Sequence, residues 1–490
     1  MHKLTLGIGI IFLAYTAIKS TGYYQADEHY QLIEYAGEKL ETHTPDEMVW
    51  EYSRRIRPTL QPTIVFVGIS LLKSIGIDNP YTQTLIFRLL SALLGVLVLL
   101  YFNRSVAFFF ESSYSKTLLH FLTLFVWFMP FLMVRFSSET WSGLFFLLGL
   151  TFVIRSVEQS KLLVVSGLIL GISFLFRYQI GFCILGLLLW LIFKQKMSFK
   201  SVLKLVFGLV FTGILGIIID SWFYGQFTVA AWRFLMAVTS TAGEGFGSSA
   251  WYFYFEKLAF EPHIIFGIPF LSILFFGFYK SKSSIILWCI LPFILFHFMI
   301  PHKEIRFLFP IAFLMPIAIL EGLQPLIEKV KFNRFLKAIA FIATVPILII
   351  NFLALVLISQ KPAGNGRSAI TQYIHNHYGS QKINLIHTPW QNPYNPWNSI
   401  PLKFYAEKNL QNKQIQSVYK LEDSLIKPEF VNLLITNINP NIESDKNNFI
   451  EIEGFVPVAQ NMPTWVFDVL EYTQPSSGLK LITLYVHRNQ

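Results

Sequence analysis

A short charged segment separates two apolar runs in the last third of the chain. The runs cover residues 285–300 and 307–320. Between them stand an imidazole, an ammonium, a carboxylate and a guanidinium, carried by His302, Lys303, Glu304 and Arg306. Charges at bilayer depth are costly and usually face a cavity or a polar substrate. A charged connector between two membrane helices is the alternative, but a connector needs only polarity. The residue types therefore favour a polar-substrate site at the end of a membrane helix.

A pair of acids, Asp27 and Glu28, follows the first apolar run. A carboxylate in this position can accept a proton from an attacking hydroxyl group as a general base. Adjacent residues do not share one face of a helix. One acid can therefore act as base while the other holds a substrate or a structural partner. A solvated pair in a loop is the alternative interpretation.

The composition indicates a membrane protein. Of 490 residues, 53% are hydrophobic and only 14% are charged, against about 25% charged in soluble domains. The net charge of +10 fits basic residues retained in cytosolic loops, and no nucleic-acid-binding signature is present. Cys183 and Cys289 both lie in apolar runs, so we expect no disulfide framework and no cysteine-based metal site.

A series of apolar runs must position these side chains. They cover residues 3–18, 62–72, 84–102, 117–134, 140–154, 162–176, 180–193, 205–219, 263–278, 285–300, 307–320 and 338–358. Clusters of Lys and Arg recur at residues 104–116, 155–161, 194–204, 280–282 and 329–337. The positive-inside rule places these clusters in the cytosol. If 62–72 does not cross, about eleven crossings result, with the amino terminus in the cytosol.

In this topology the unusual polar segments share the non-cytosolic side. They are residues 20–83, 135–139, 220–262, 301–306 and 359–490. Chemistry on that side, away from cytosolic nucleotides, implies a substrate that is carried by a lipid. Arg54, Arg55 and Arg57 break the positive-inside pattern there. A phosphate partner explains them, since guanidinium groups match phosphate oxygens in fork geometry.

The chain changes character from residue 364 onward. Residues 382–386, 431–435, 449–452 and 480–485 are predicted to be short strands. We therefore expect a transmembrane domain over residues 1–359, with a large first outer loop over 20–61. A small extracytoplasmic α/β domain is expected over residues 360–490.

Several segments resemble motifs of glycosyltransferase family 22, the dolichyl-phosphate-mannose-dependent mannosyltransferases. Residues 302–307 resemble the family's His-Lys-Glu-x-Arg-Phe signature, and residues 220–226 resemble Asp-x-x-Phe-Tyr-Gly. Residues 245–254 and 387–391 are similar to stretches of the third GPI mannosyltransferase. Further similar segments are residues 49–58, 136–140 and 176–178. The chain departs from the family where Pro and Thr would follow Arg177, and in lacking Asn residues over 233–239.

The resemblance implies a GT-C-fold, multi-pass glycosyltransferase. It would move mannose, with inversion, from a polyprenyl (dolichyl) phosphate carrier to a lipid-linked or GPI-like glycan acceptor. Asp27 is the implied base, with Glu28 the second candidate. The donor phosphate is assigned to Lys303 and Arg306, assisted by His302 and Arg57. The remaining implied substrate contacts are Glu304, Trp50, Glu139, Arg177, Asp220 and Trp251.

Alternative interpretations remain for the activity and for single residues. The chain could be a GT-C transferase of another sugar, or a carrier or flippase of a lipid-linked sugar, although transporters commonly show repeats that this sequence lacks. Trp50 also suits the lipid interface, and Ser137 or Ser138 suits a helix N-cap. We expect no metal and no cofactor, and inversion requires no covalent nucleophile. The expected location is a bacterial cytoplasmic membrane, with the endoplasmic reticulum membrane as the alternative.

Overall fold

The chain divides into two compact units by its internal contacts. The computed structural model describes residues 2–110, 112–156, 161–240, 247–261, 264–329, 334–395, 402–416, 418, 421–437, 452, 454–473 and 479–488. The first unit, called the helical unit here, comprises residues 1–17, 54–64 and 87–359. The second, called the mixed unit, comprises residues 18–53, 65–86 and 360–490.

Helices dominate the chain up to residue 378. The α-helices are α1 His2–Lys19, α2 Ala26–His29, α3 Tyr35–Lys39, α4 Trp50–Arg54, α5 Leu60–Ser74, α6 Pro80–Val106, α7 Ser113–Phe125, α8 Met129–Met133, α9 Ser138–Arg155, α10 Leu162–Phe176, α11 Gly181–Phe193, α12 Phe199–Phe223, α13 Ala230–Ser240, α14 Phe253–Phe260, α15 Ile264–Lys280, α16 Ile285–Met299, α17 Phe309–Ala312, α18 Met315–Lys329, α19 Arg334–Gln360, α20 Arg367–Tyr378 and α21 Thr464–Thr473. Short 3₁₀ helices cover Pro45–Glu47, Ala107–Phe109, Tyr178–Ile180, Ile305–Leu308 and Asp423–Leu425, and a π-helix covers Tyr30–Glu34.

Two of the described helices are long and apolar enough to cross a membrane by themselves, over Pro80–Phe109 and Phe199–Phe223. Two pairs of consecutive helices would each add one membrane span if the pair were counted as a single broken helix. Each pair is bent at a short break between its two helices. One pair is α15 with α16, bent by 119°, and the other is Ile305–Ala312 with Met315–Pro325, bent by 70°. The number of about eleven crossings stays a prediction.

Glycines allow the helices of the helical unit to pack closely. A Cβ added to Gly167 on α10 would lie 2.0 Å from the carbonyl oxygen of Leu205 on α12. A Cβ added to Gly208 on α12 would lie 2.5 Å from the carbonyl oxygen of Val164. Small residues at such contacts are typical of membrane helices, whose backbones approach where side chains are absent.

The helix α9 spans the distance between two polar ends of the helical unit. Its N-cap is Ser137, whose side chain accepts from the Thr140 backbone N–H, as the N-cap interpretation anticipated. At 1.5 Å per residue, Glu139 and Arg155 lie about 25 Å apart along its axis. The helix α16 likewise begins after the Ser284 N-cap and ends just before the charged segment 301–306. The predicted cytosolic cluster at residue 155 therefore lies at the opposite end from Glu139.

A five-stranded sheet forms the core of the mixed unit. Its strands are β1 Ile383–His387, β2 Leu410–Gln414, β3 Val431–Thr436, β4 Phe455–Gln460 and β5 Thr483–His487, in the order β2-β1-β3-β5-β4. β1 is parallel to β2 and β3, while β5 is antiparallel to β3 and β4. The residues of β1 and β3 are all buried, which explains why both strands are mostly apolar. The buried amide of Asn384 on β1 donates to Asn432 Oδ1 on β3 at 2.7 Å.

Three of the four predicted strands agree with β1, β3 and β5 to within about three residues. The fourth, over 449–452, lies outside the described residues except at Ile452. The edge strands β2 and β4 were not anticipated. β2 has the sequence Leu-Gln-Asn-Lys-Gln and is exposed at four of its five residues. It therefore has neither the β-branched residues nor the buried face from which a strand is predicted.

The interval 20–61, expected only as a polar loop, is substantially helical in the part that follows α1. α2, the π-helix Tyr30–Glu34 and α3 form one continuous helical stretch. The π turn is buried at all five of its residues. This burial bears on the acid pair that α2 carries, since Glu28 is buried as well.

Candidate active site

The charged segment of the helical unit is extended at Glu304, with φ −135° and ψ 145°, before the 3₁₀ helix Ile305–Leu308 begins. Because the chain is not α-helical here, residues two apart can meet on one side of it. Glu304 therefore reaches both of its neighbours at that spacing: its Oε1 lies 2.9 Å from His302 Nε2, and its Oε2 accepts from Arg306 Nε at 2.6 Å. Arg306 also donates through its Nη2 atom to Glu304 Oε1 at 3.0 Å. On an α-helix, residues two apart would not share a face, so His302 and Glu304 can meet because this segment is not α-helical.

A second ion pair joins the first. Arg177 Nη1 lies 2.8 Å from Glu139 Oε1 and donates to Ser138 Oγ at 3.1 Å. The same Glu139 oxygen is 3.7 Å from Arg306 Nη1. Both guanidinium groups lie over the Phe307 ring, at 5.7 Å for Arg177 and 5.4 Å for Arg306. The structure thus gathers Glu139, Arg177, Glu304, Arg306 and His302 into one network, called the ion-pair network below. Glu139, Arg177 and Arg306 are buried in it, whereas Glu304 and His302 are partly exposed.

Close packing of α9 against α17 makes this network possible. Gly143 lies four residues, or about one turn, after Glu139. A Cβ on Gly143 would lie 2.4 Å from the carbonyl oxygen of Pro310. The missing side chain lets the two backbones approach, so Glu139 reaches the guanidinium that the neighbouring segment carries.

Lys303 has different partners from its neighbours. Its side chain is buried, and Nζ donates to the carbonyl oxygens of Ile300 at 2.6 Å and Ser249 at 3.2 Å. Within the described residues it forms no ion pair with a carboxylate. Burial lowers the pKa of its ammonium. Unlike Arg306, whose charge is offset by Glu304, Lys303 contributes a positive charge balanced only by carbonyl dipoles.

An apolar groove starts beside the charged segment. The cavity has a volume of about 270 Å³ and is lined almost entirely by carbon. Ile305, Leu308 and Phe309 form one wall, and Tyr254 and Phe298 are also in the lining. Since Ile305 directly precedes Arg306, the groove and the ion-pair network share one stretch of backbone.

Asp220 organises a neighbouring segment of the same unit. Its Oδ1 accepts from the backbone N–H of Thr59 at 2.9 Å and from Thr59 Oγ1 at 2.7 Å, just before α5 begins. Tyr224 donates its hydroxyl to the carbonyl oxygen of Arg57 at 2.9 Å, and the Arg57 guanidinium lies 5.7 Å from the Phe234 ring centre. The similar segment 220–226 therefore holds the segment 57–59 in place.

The acid pair of the mixed unit has divided roles. Glu28 is buried, and its Oε2 accepts from the backbone N–H of Tyr24 at 2.7 Å. Asp27 is partly exposed. Gln25 caps α2 by accepting from the Ala26 N–H. The geometry gives Glu28 a local structural contact, and the role of Asp27 as base stays a prediction.

A histidine–glutamate cluster was missed by the sequence reasoning. Glu34 Oε1 lies 2.6 Å from His29 Nε2, and Glu34 Oε2 lies 2.5 Å from His43 Nε2. The three side chains are 3%, 1% and 4% exposed. Residues five apart do not face each other on an α-helix, so the spacing of His29 and Glu34 gave no signal. Only the π turn brings them together.

The two predicted aromatic contacts are both exposed, Trp50 by 46% and Trp251 by 66%. Asp27, Glu28 and Trp50 belong to the mixed unit, and the other candidate residues belong to the helical unit. No group of three or more His, Cys, Asp or Glu side chains is placed to hold a metal ion within the part of the chain that the structure describes.

Comparison with known proteins identifies the family. The model of the Alg9-like mannosyltransferase family matches residues 8–406. The chain belongs to this family. The match confirms the family predicted from the segment 302–307 and its companion motifs.

Relatives in the Alg9-like family include GPI mannosyltransferases. The chain is 24% identical over 330 residues to Mannosyltransferase APTG1 of Arabidopsis thaliana, covering 64% of this chain and 56% of that protein. It is 24% identical to GPI alpha-1,2-mannosyltransferase 3 of Bos taurus, covering 58% and 52%. It is 24% identical to GPI mannosyltransferase 3 of Debaryomyces hansenii, covering 77% and 69%. The chain thus spans about half the length of the first two of these relatives.

The fold resembles that of two crystal structures of ArnT from Cupriavidus metallidurans. One was determined with undecaprenyl phosphate bound and has a TM-score of 0.50, and the other is the apo state with a TM-score of 0.52. Each is 12% identical and covers 98% of this chain and 97% of the ArnT chain. This likeness confirms the predicted GT-C fold of an integral membrane protein with a small C-terminal sheet.

Proposed function

We propose that this chain is an inverting mannosyltransferase that takes mannose from a polyprenyl-phosphate carrier on the non-cytosolic membrane face. The observation that carries the proposal is the apolar groove, whose wall continues directly into the segment with Lys303 and Arg306. A ligand with an apolar tail and an anionic phosphate would place its tail in the groove and its phosphate beside the two cations. Family membership supplies the sugar. The acceptor is a lipid-linked or GPI-like glycan.

The proposed reaction needs one base and one stabilised leaving group. Asp27 takes the proton from the acceptor hydroxyl as its oxygen bonds to the anomeric carbon of mannose. The bond between that carbon and the phosphate oxygen breaks, and polyprenyl phosphate leaves with the electron pair. Lys303 stabilises the charge that develops on the phosphate, because within the described residues its ammonium donates to two carbonyl oxygens and pairs with no carboxylate.

The ion-pair network gives the arginines a supporting part. Arg306 is held in bidentate contact by Glu304, so its charge is largely offset. Its fixed fork is suited to orienting the phosphate rather than to supplying net charge. Glu139 and Arg177 fix this fork from α9 and the end of α10. His302 and Arg57 remain proposed phosphate contacts, and Asp220 acts by holding the segment that carries Arg57.

The direct test is transfer of radiolabelled mannose in membranes that contain the chain. Polyprenyl-phosphate mannose should support transfer and GDP-mannose should not. Dolichyl and bacterial polyprenyl carriers should be compared, because the groove has no feature that selects either and the membrane of origin depends on the answer. Transfer from GDP-mannose alone, or from a glucosyl carrier but not a mannosyl one, would refute the proposal. Movement of an intact lipid-linked sugar without transfer would instead indicate the flippase.

The side of the membrane can be tested separately. The Ser249 N–H donates to the Pro301 carbonyl, so Ser248 lies at the charged end of α16. Ser283 precedes the N-cap at the other end of that helix, about 22 Å away by its length. A cysteine at Ser248 should react with an impermeant reagent from the non-cytosolic side, and a cysteine at Ser283 should not. The reverse labelling would refute the lipid-donor argument.

A further inference from the structure

The buried His29–Glu34–His43 cluster stands directly after the helix that carries Asp27. His29 is the last residue of α2, and Glu34 is the last residue of the π-helix that follows. The wider π turn places residues five apart above one another, so the carboxylate of Glu34 meets His29 Nε2 at 2.6 Å. π turns inside helices are frequent at functional sites. The cluster therefore fixes the carboxyl end of the short helix on which Asp27 lies.

His43 closes the cluster from the other side. Its Nε2 lies 2.5 Å from Glu34 Oε2, and its Nδ1 lies 2.9 Å from Thr42 Oγ1. The Thr42 hydroxyl uses its single proton on the Gly37 carbonyl at 3.0 Å. An ionised carboxylate only accepts hydrogen bonds. His43 Nδ1 therefore donates to Thr42 Oγ1, and its Nε2 faces the Glu34 carboxylate.

Gly37 is what admits His43 to this position. A Cβ on Gly37 would lie 2.2 Å from His43 Nδ1 and 2.9 Å from Thr42 Oγ1. Both contacts are far inside van der Waals distance, and neither partner has room to move without leaving its hydrogen bond. The glycine at this position thus belongs to the cluster although it has no side chain.

Aromatic rings and one further charge surround the cluster. The rings of Tyr23 and Tyr405 are each 5.2 Å from the His29 ring, and that of Tyr30 is 6.1 Å away. Arg367 interacts electrostatically with Tyr23. Burial alone would raise the pKa of Glu34, but the charge and hydrogen bonds of His29 and His43 outweigh it and lower the pKa to about 2. Glu34 is therefore the ionised centre of the cluster at any physiological pH.

We propose that Glu34, held between His29 and His43, is a positioning residue for Asp27 and fixes the short helix that presents this carboxylate to the acceptor hydroxyl. The inference rests on the proposed function for the role of Asp27. Within α2, Glu28 is already tied to the Tyr24 backbone. Glu34 secures the other end of the helix, so Asp27 is held from both sides.

The first test replaces Glu34 without changing its size. Glu34→Gln leaves a single acceptor oxygen and turns an amide N–H₂ toward one imidazole N–H. The kcat for mannosyl transfer should fall about 10- to 100-fold, since misplacement of a reacting group by about 1 Å costs up to 10². The KM for the lipid donor should stay within about twofold. Glu38→Gln on α3, where Glu38 pairs with the adjacent Lys39 at 3.1 Å, is the matched control and should leave kcat unchanged.

A double-substitution experiment separates positioning from general damage. In an Asp27→Asn background, Glu34→Gln should cost less than about twofold further, because residues that act as a unit are not additive. Losses that multiply would overturn the inference and leave the proposed function standing. Near-normal transfer by Asp27→Asn alone would instead refute the proposed base.

Two further measurements do not depend on the double-substitution experiment. Amide hydrogen exchange over residues 26–36 should quicken in Glu34→Gln and not in Glu38→Gln. His43→Gln, whose amide can still donate to Glu34, should retain most of kcat, whereas His43→Ala should lose most activity. Unchanged exchange in Glu34→Gln, or equal effects of the two His43 variants, would overturn the inference.

Discussion

Replacing Lys303 by Met should separate activity from stability more cleanly than any other change in the charged segment. The side chain is buried and its ammonium donates to the carbonyl oxygens of Ile300 and Ser249. Lys303→Met keeps an unbranched side chain of similar length and removes only the charge and the donors. In the proposed reaction, that charge is the one that stabilises the departing phosphate.

The stability terms of Lys303→Met nearly cancel. Two hydrogen bonds from an ammonium are lost, at about 1.5–3 kcal/mol each. Against this, burying an ion carries an effective desolvation penalty of several kcal/mol, which the variant no longer incurs. We expect Tm to change by less than about 5 °C. Loss of one preorganised group at the developing charge should cost about 2.7–4 kcal/mol in transition-state stabilisation, or about 10²–10³ in kcat.

Arg306→Met is the informative contrast. It breaks the bidentate pair with Glu304, and an acid that loses its partner destabilises the fold. The Glu304 side chain is 22% exposed, so the loss should be at most about 3 kcal/mol rather than the full value for a buried pair. Adding Glu304→Leu to Arg306→Met should restore most of the lost Tm.

The assay pairs thermal unfolding in detergent with mannosyl transfer in vesicles for each variant. Lys303→Met should be stable and inactive, with Lys303→Arg retaining part of the activity. A Lys303→Met protein with wild-type kcat would refute the assignment of Lys303 to the leaving phosphate. An active Arg306→Met/Glu304→Leu protein would show that the ion-pair network is scaffolding only.

Three further outcomes follow from single features of the structure. Asp27→Asn should lower kcat by about 10²–10⁴ with donor binding retained, measured by transfer and by donor titration; equal loss of binding would contradict a base. Leu291→Trp, which fills the apolar groove, should raise the KM for long-chain donors more than for short-chain ones, and an equal effect on both would place the tail elsewhere. Because the folded-state pKa of Glu34 is lowered to about 2, its stabilising contribution is present above an unfolded pKa of about 4.3 and is lost as pH falls toward 2. Unfolding of Glu34→Gln should therefore depend less on pH across this window than that of the wild type.

The family, the membrane character and three strands of the C-terminal sheet could be predicted from the amino-acid sequence alone. The segment 302–307 carries its chemistry in adjacent residues, so no folding is needed to recognise it. The apolar runs indicate burial in the membrane through their composition alone. β1 and β3 were predictable for the same reason, since both are buried on two faces and are mostly apolar.

The tertiary structure decided what each charged side chain does. Arg306 meets Glu304 because the backbone is extended at Glu304 and then enters a 3₁₀ helix instead of an α-helix. Glu139 reaches the network because Gly143 lets α9 approach Pro310. Asp220 holds Thr59 across 161 positions of sequence, a distance that no local pattern encodes. The cluster around Glu34 depends on a π turn, which local propensity does not predict because burial and the two histidines, not the backbone, stabilise it. Spacing along a chain determines partners only after the backbone conformation between them is known.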